Sequence, residues 1–111
     1  MKGFLGFPGG QLSTTPVPDL FFGELLPEID HLGELKVTLH IFWLLTQKKG
    51  VQRYVSGEEL ATDSRLLSGM GGLGMSTAEA LGDALDRAVA RRTLLRVTTG
   101  QDAERKAWYF V

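Results

Sequence analysis

The sequence has no cysteine, almost no net charge and no long apolar run. Without cysteine, neither a disulfide framework nor a thiolate metal site can form. Twelve Lys and Arg stand against thirteen Asp and Glu, so a formal net charge of −1 gives no bulk attraction for nucleic acid. The longest apolar stretch, residues 39–46, is under half of the roughly 20 residues that a membrane span needs. We therefore expect a cytoplasmic protein without a membrane segment, whose DNA contacts are at most local.

The chain is long enough for one domain and leaves no room for a second. It has 111 residues, of which 43% are apolar and 23% charged. In a domain of this size, the free energy gained by burying apolar surface only modestly exceeds the entropy cost of ordering the chain. A partner chain that shared its apolar surface would add to its stability.

Glycine and proline are concentrated near the N-terminus, at positions 3, 6, 8, 9, 10, 16 and 18. This composition opposes regular structure, although the segment also carries Phe4, Leu5 and Phe7. We interpret residues 1–18 as an extended arm and residues 19–111 as the folded domain. The arm's apolar side chains gain stability only by lying on other apolar surface.

Helical patterns follow the arm. Asp19 is the predicted cap of a short helix that ends before Pro27, and the long helix is predicted from Asp30 to Lys49, with Gly50 as the stop. The main apolar stripe of the long helix is predicted to be Leu32, Leu35, Leu39 and Phe42. Further apolar residues spread well beyond that stripe: Val37, Ile41, Leu44 and Leu45.

Two capping boxes and a hairpin complete the pattern. Residues 53–55 are typical of a short strand, and Ser56 with Glu59 predicts a helix through Leu60 that extends to Leu67 at most. Ser76 with Glu79 opens a helix to about Arg92, after a flexible connector at residues 69–74. The predicted buried stripe of this last helix is Ala78, Leu81, Leu85, Ala88 and Val89. The strands 94–98 and 106–111 form the hairpin. The fold class is therefore mainly α with a small β hairpin, an α+β winged helix with an N-terminal arm and a short extra helix.

Several of these segments resemble one known family. Residues 15–22 (TPVPDLFF), residues 32–37 (LGELKV) and the Ser-capped last helix before the hairpin resemble the N-terminal domain of DnaD-like bacterial primosome proteins. The resemblance covers about residues 14–111. It implies a winged helix that self-associates and docks onto replication-initiation proteins, with much of the DNA binding in a separate C-terminal domain. We therefore expect this chain to be part of a longer protein.

The chain departs from that family in two places. Residues 69–74 are an insertion, and Arg92 stands where a glycine commonly ends the last helix. The insertion also satisfies the G-x-G-x-x-G spacing of dinucleotide sites. A helix end precedes it instead of a strand, and Leu94 and Leu95 occupy the positions about 20 residues on where an acidic residue belongs. We therefore interpret it as a linker.

Nothing in the sequence indicates catalysis. His31 and His40 have no carboxylate or cysteine at ligand spacing, so a metal site is not predicted. Ser56 and Ser76 are explained as helix caps, and the acids are spread along helix faces. The sequence predicts a protein that is not an enzyme and has no cofactor.

DNA binding by the last helix is opposed by its charge. Its outward face is predicted to carry Glu79, Asp83 and Asp86, with only Arg87 nearby. Cations cluster around the hairpin instead, where they either touch phosphates or only protect a solvated strand edge: Arg91, Arg92, Arg96, Arg105 and Lys106. Weak or absent DNA binding by this domain alone is expected.

An apolar surplus indicates protein contacts. The candidate interface residues are Phe4, Leu5, Phe7, Phe21, Phe22, Leu25 and Leu26. The arm either wraps its own core or lies in an interface. We predict a protein-interaction and oligomerisation module of a DnaD-like replication-initiation protein. A winged-helix transcription regulator is the alternative. Trp43 and Trp108 are predicted to be largely buried.

Overall fold

The computed structural model describes residues 3–48 and 53–111. They form the elements of a winged helix, in chain order α1 Leu32–Gln47, β1 Tyr54–Ser56, α2 Gly57–Ala61, α3 Ser64–Ser68, α4 Thr77–Ala90, β2 Leu95–Thr99 and β3 Lys106–Phe110. The predicted fold class, mainly α with a small β hairpin, is confirmed. No helix in the described ranges is both long and apolar enough to span a bilayer.

The sheet has three strands, because the short segment after α1 joins the predicted hairpin. β3 lies in the centre and pairs antiparallel with β1 on one side and β2 on the other. Val55 and Arg96 both stand opposite Tyr109. Val55 and Tyr109 are buried, so this face of the sheet packs on the helices. The alternate residues of each strand lie on the opposite, outer face.

Both predicted capping boxes are present. The Ser56 hydroxyl accepts from the N–H of Glu59 at 3.0 Å, and the Ser76 hydroxyl accepts from the N–H of Glu79 at 3.2 Å. The helix predicted after Ser56 does run through Leu60, but α2 ends at Ala61 and does not reach Leu67. Asp63 then caps a separate helix, α3, by accepting from the N–H groups of Arg65 and Leu66.

Helix α1 turns a different face to the core than its pattern predicts. Val37 and Ile41 are fully buried, while Leu32 and Leu39 of the predicted stripe are exposed. The buried face also holds Glu34 and Thr38. Because these two residues are polar, the spacing of apolar residues does not identify this face as the buried one.

The predicted bounds of α1 also need correction. The helix begins at Leu32 instead of Asp30, and His31 is its cap, since its Nδ1 accepts from the N–H of Glu34 at 3.2 Å. Lys48 is the C-cap, and the predicted end at Lys49 and Gly50 lies outside the described residues.

The core is centred on the contact of α1 with α4. Helix α4 is lined there by leucines and small alanines, which let the two backbones approach closely: Ala80, Leu81, Ala84, Leu85 and Ala88. Ala78 of the predicted stripe is exposed and Val89 is half-buried. The core also takes in Met70, from the connector predicted to be flexible.

Both tryptophans lie between buried and exposed, so the prediction that both are largely buried is met only in part. Trp43 lies on α1 beside the Arg65 guanidinium, 5.3 Å from its ring centre. Trp108 lies on the outer face of the sheet, and its Nε1 donates to the Thr99 hydroxyl at 2.9 Å. The core is filled by aliphatic residues and Tyr109 instead.

The N-terminal part has only short helical turns. Residues 3–18 contain no helix or strand. A π-helical turn, Phe21–Leu25, runs into a 3₁₀ turn, Leu26–Glu28, which contains Pro27. The first turn ends at Leu25, before Pro27 as predicted, although the 3₁₀ turn carries the chain on through Glu28. The cap position is Leu20, with no side-chain capping bond, so the predicted Asp19 cap is wrong. Pro27 is tolerated because the first positions of a helix need no N–H.

Helix α4 ends at Ala90 with Arg91 as its C-cap, and a residue in the left-handed conformation follows. Arg92 has φ of 70°. Its N–H donates to the Val89 carbonyl, and the N–H of Thr93 donates to the Ala88 carbonyl, both at 3.0 Å. This bonding pattern is the Schellman motif, which glycine fills at least cost. Arg92, which stands where the resembling DnaD-like domains commonly have a glycine, therefore occupies a backbone position that is strained for any other residue.

Replacing Arg92 with glycine is expected to stabilise the fold. Relief of the left-handed conformation outweighs the added freedom of the unfolded chain, for a net gain of about 0.5 to 1 kcal/mol. Urea unfolding followed by circular dichroism measures the change. Arg92→Ala removes the same charge but keeps the strain, so it serves as the control. A glycine variant no more stable than the alanine variant would contradict this account.

Candidate interaction surfaces

The arm leaves its apolar side chains uncovered. Phe4, Leu5 and Phe7 are 76%, 98% and 82% exposed. The rings of Phe4 and Phe7 meet edge to face at 5.0 Å, so they form one small apolar knob. The sequence left open whether the arm wraps its own core or lies in an interface, and in the structure the side chains of the knob do not cover the core.

The predicted interface residues of the first turns separate into two groups. Phe21 is buried against its own chain, with its ring 6.1 Å from that of Phe42 on α1. Phe22 is 56% exposed, while Leu25 and Leu26 are half-buried. Phe21 is therefore a core residue, and only Phe22 of this turn offers a largely free surface.

A second apolar surface lies on the outer face of the sheet, and the sequence analysis did not identify it. Its residues, here called the outer sheet face, are Tyr54, Leu95, Val97, Trp108 and Phe110. The Tyr54 ring packs against those of Trp108 and Phe110 at 5.5 and 5.8 Å. Leu95 and Val97 are largely exposed beside them. Apolar residues at every second position of β2 and β3 were the available signal.

The five cations proposed around the hairpin do not form one patch. Arg91 pairs with Glu34, its Nε donating to one carboxylate oxygen at 2.5 Å and its NH2 to the other at 3.1 Å. Arg96 donates to Asp86 at 2.8 Å. These hydrogen bonds to carboxylates raise the pKa of both arginines. Internal pairing thus offsets the charge of two of the five.

The other three cations lie at opposite ends of the hairpin. Arg92 precedes β2, while Arg105 and Lys106 follow the turn at the far end. Five-residue strands separate the two ends by about 17 Å. In the part of the chain that the structure describes, none of these three side chains has an ion pair. Their contact with phosphate stays a prediction.

The outward face of α4 is acidic, as its spacing predicts. Glu79 and Asp86 are exposed, and Asp83 is partly so. Asp83 accepts from Arg87 at 2.8 Å, and this hydrogen bond lowers the pKa of its carboxyl. Arg87 and Arg96 pair with Asp83 and Asp86, so among the described residues Glu79 is the one acid of this face without an ion pair.

His40 has a structural partner. Its Nε2 lies 2.7 Å from Oδ2 of Asp63, the residue that caps α3. Partial burial by itself would raise the pKa of this carboxyl, but hydrogen bonds with His40 and from the Leu66 N–H lower it below its ordinary value. Within residues 3–48 and 53–111, no group of three or more His, Asp or Glu side chains gathers as metal ligands would.

The glycine-rich connector follows α3, so a helix and not a strand precedes it. Gly72 and Gly74 adopt positive φ, and Met70 between α3 and these glycines is buried. The connector is therefore anchored to the core at one point.

Comparison with known proteins found no similar family, since no family model, curated protein or solved structure matches the chain.

Proposed function

We propose that this winged-helix domain is a protein-interaction and oligomerisation module of a DnaD-like replication-initiation protein. The observation that carries the proposal is the arm, whose three large apolar side chains are exposed with no cover from their own chain. Each such side chain gains about 1.5 to 3 kcal/mol on leaving water. A partner surface provides that gain, and a second copy of the chain is one such partner.

The electrostatics support protein contacts over DNA contacts. A helix that reads the major groove usually offers Arg, Lys, Asn or Gln, whereas the exposed side chains of α4 include Glu79, and Asp86, whose charge Arg96 offsets. Arg91 and Arg96 are engaged by carboxylates of the domain itself. With a net charge of −1, no general attraction compensates for these losses.

The replication role rests on the resemblance of the residues 15–22 and 32–37 to DnaD-like proteins. A module of this kind works in the bacterial cytoplasm, where it holds copies of its protein together and docks onto replication-initiation proteins. The downstream domain of such a protein supplies much of the DNA binding.

We expect the chain to self-associate through its arm. Multi-angle light scattering at 10 to 500 μM is expected to give a dimer or larger assembly, because three uncovered apolar side chains offset much of the entropy of joining chains. A triple variant, Phe4→Ser with Leu5→Ser and Phe7→Ser, is expected to be monomeric over the same range. Leu12→Ser, an exposed leucine outside the knob, is the matched control and keeps the assembly. A parent chain that stays monomeric at the highest concentration would overturn the proposal.

We expect only weak duplex binding, with Kd no tighter than about 10⁻⁵ M at physiological salt. Fluorescence anisotropy with labelled duplexes over a salt series measures it. Replacing both Glu79 and Asp86 with lysine removes the acidic face and is expected to tighten nonspecific binding. Nanomolar, sequence-selective binding by the parent would contradict this prediction and favour the transcription regulator.

A further inference from the structure

The outer sheet face is unusual for a small domain because three aromatic rings and two aliphatic side chains lie side by side on it. The three rings and Val97, together with Thr99, line a hollow of about 240 Å³: Tyr54, Val97, Thr99, Trp108 and Phe110. Small-molecule clefts hold about 300 to 1,000 Å³. This hollow is smaller and open, so it suits an inserted side chain better than a metabolite.

The same chain carries an apolar segment of matching kind. The knob of Phe4 and Phe7 is followed by Pro8 and joined to the domain by a segment without helix or strand. Aromatic-lined surfaces bind extended apolar segments by taking up their side chains, and here the gain from burying the knob must exceed the entropy lost by the neighbouring glycines. In the structure the knob and the outer sheet face are both exposed and do not cover each other.

We propose that the outer sheet face is the acceptor for the arm of a second copy of this chain, and that two copies exchange their arms reciprocally. This inference rests on the proposed self-association and names the surface that receives the arm. The base of the arm, at Pro16 and Pro18, lines a groove together with Val111, next to the Phe110 end of the sheet. From there to Phe4 the arm extends up to about 40 Å, which is more than twice the length of the sheet's strands.

The area of the contact favours a second copy over the chain's own sheet. Taking about 200 Å² for a large apolar side chain and the exposed fractions of both surfaces, a reciprocal exchange buries about 1,500 Å². Stable specific interfaces bury about 1,200 to 2,000 Å². One arm on its own sheet would bury half of this, and in the structure the arm does not lie there although the sheet is within its reach.

Complementation between two variants tests the exchange. The arm variant is the triple serine substitution at Phe4, Leu5 and Phe7, and the face variant is Leu95→Thr with Val97→Thr, which keeps β-branched residues in β2. Thr98→Ala is the matched control, because its side chain lies on the other face of the same strand. Circular dichroism establishes that each variant is folded.

We expect each variant to dimerise at least about 30-fold more weakly than the parent in sedimentation equilibrium. A mixture of the two is expected to associate more weakly than the parent but more strongly than either variant alone, because the intact arm of the face variant and the intact face of the arm variant restore one of the two contacts. A monomeric parent would overturn this inference together with the proposed function. A dimeric parent whose face variant still dimerises as strongly, or a mixture that associates no more strongly than either variant alone, would overturn the acceptor face alone.

Discussion

Replacing Arg91 with leucine is expected to lower the melting temperature by more than about 10 °C. The side chain of Glu34 is fully buried, and the Arg91 guanidinium is bound to both of its carboxylate oxygens. Without Arg91, the Glu34 carboxylate stays buried between α1 and α4, and no ion pair compensates for the hydration that it loses. Thermal unfolding at pH 7 followed by circular dichroism measures the effect.

Three further variants separate the buried pair from a general loss of charge. Arg87→Leu removes an arginine of the same helix whose partner, Asp83, is partly in water, so its effect is expected to be within a few degrees. Glu34→Leu is expected to cost less than Arg91→Leu, because the remaining guanidinium can turn to solvent. The double variant, with leucine at 34 and 91, is expected to recover most of the loss. Equal losses for Arg87→Leu and Arg91→Leu would contradict the role of the pair.

The local parts of the fold were predictable from the sequence. Ser56 and Ser76 act on residues three positions away, so their capping boxes appear as short patterns in the sequence. The alternation of β2 and β3 indicates strands for the same reason. The order of these elements then restricts the fold to a winged helix.

The buried face of α1 was not predictable in this way. Glu34 stands at a core position because Arg91, 57 residues further along the chain, neutralises it there. Thr38 lies beside it, so the true core face looks polar and the exposed face of Leu32 and Leu39 looks apolar. A periodicity count sees only one helix at a time, whereas this choice depends on two helices in contact.

The same distinction, between features set by local sequence and features set by tertiary contacts, applies to the candidate surfaces. The arm was predictable because glycine and proline exclude regular structure whatever the tertiary context. Phe21 and Phe22 are neighbours of identical chemistry, and only the position of Phe42 decides that the first is buried and the second exposed. The outer sheet face could not be predicted without knowing that β1 joins the sheet, since Tyr54 lies beside Phe110 only when β1 pairs with β3.

The glycine-rich connector shows what composition alone leaves out. Four glycines in residues 69–74 indicate a flexible linker. The structure nevertheless places Met70 fully in the core, and Leu73 packs partly buried against that core. One unbranched side chain that fits an irregular gap is enough to fix the path of an otherwise permissive segment.

We therefore expect Met70→Ala to be strongly destabilising, by about 2 to 5 kcal/mol, which is a large part of the stability of a domain this size. The loss has two sources, the transfer of the side chain out of the core and the cavity that the backbone closes only in part. Because the flanking glycines resist ordering, losing this anchor also frees the connector and the start of α4.

Met75→Ala is the matched control for that prediction, since Met75 belongs to the same stretch but is 45% exposed. Its effect is expected to be within about 0.5 kcal/mol, as for most surface positions. Urea unfolding gives both free energies, and amide hydrogen exchange shows whether protection is lost first in the connector and the first turn of α4. If alanine at 70 cost no more than alanine at 75, Met70 would not anchor the connector, and the link between α3 and α4 would be as flexible as its glycines suggest.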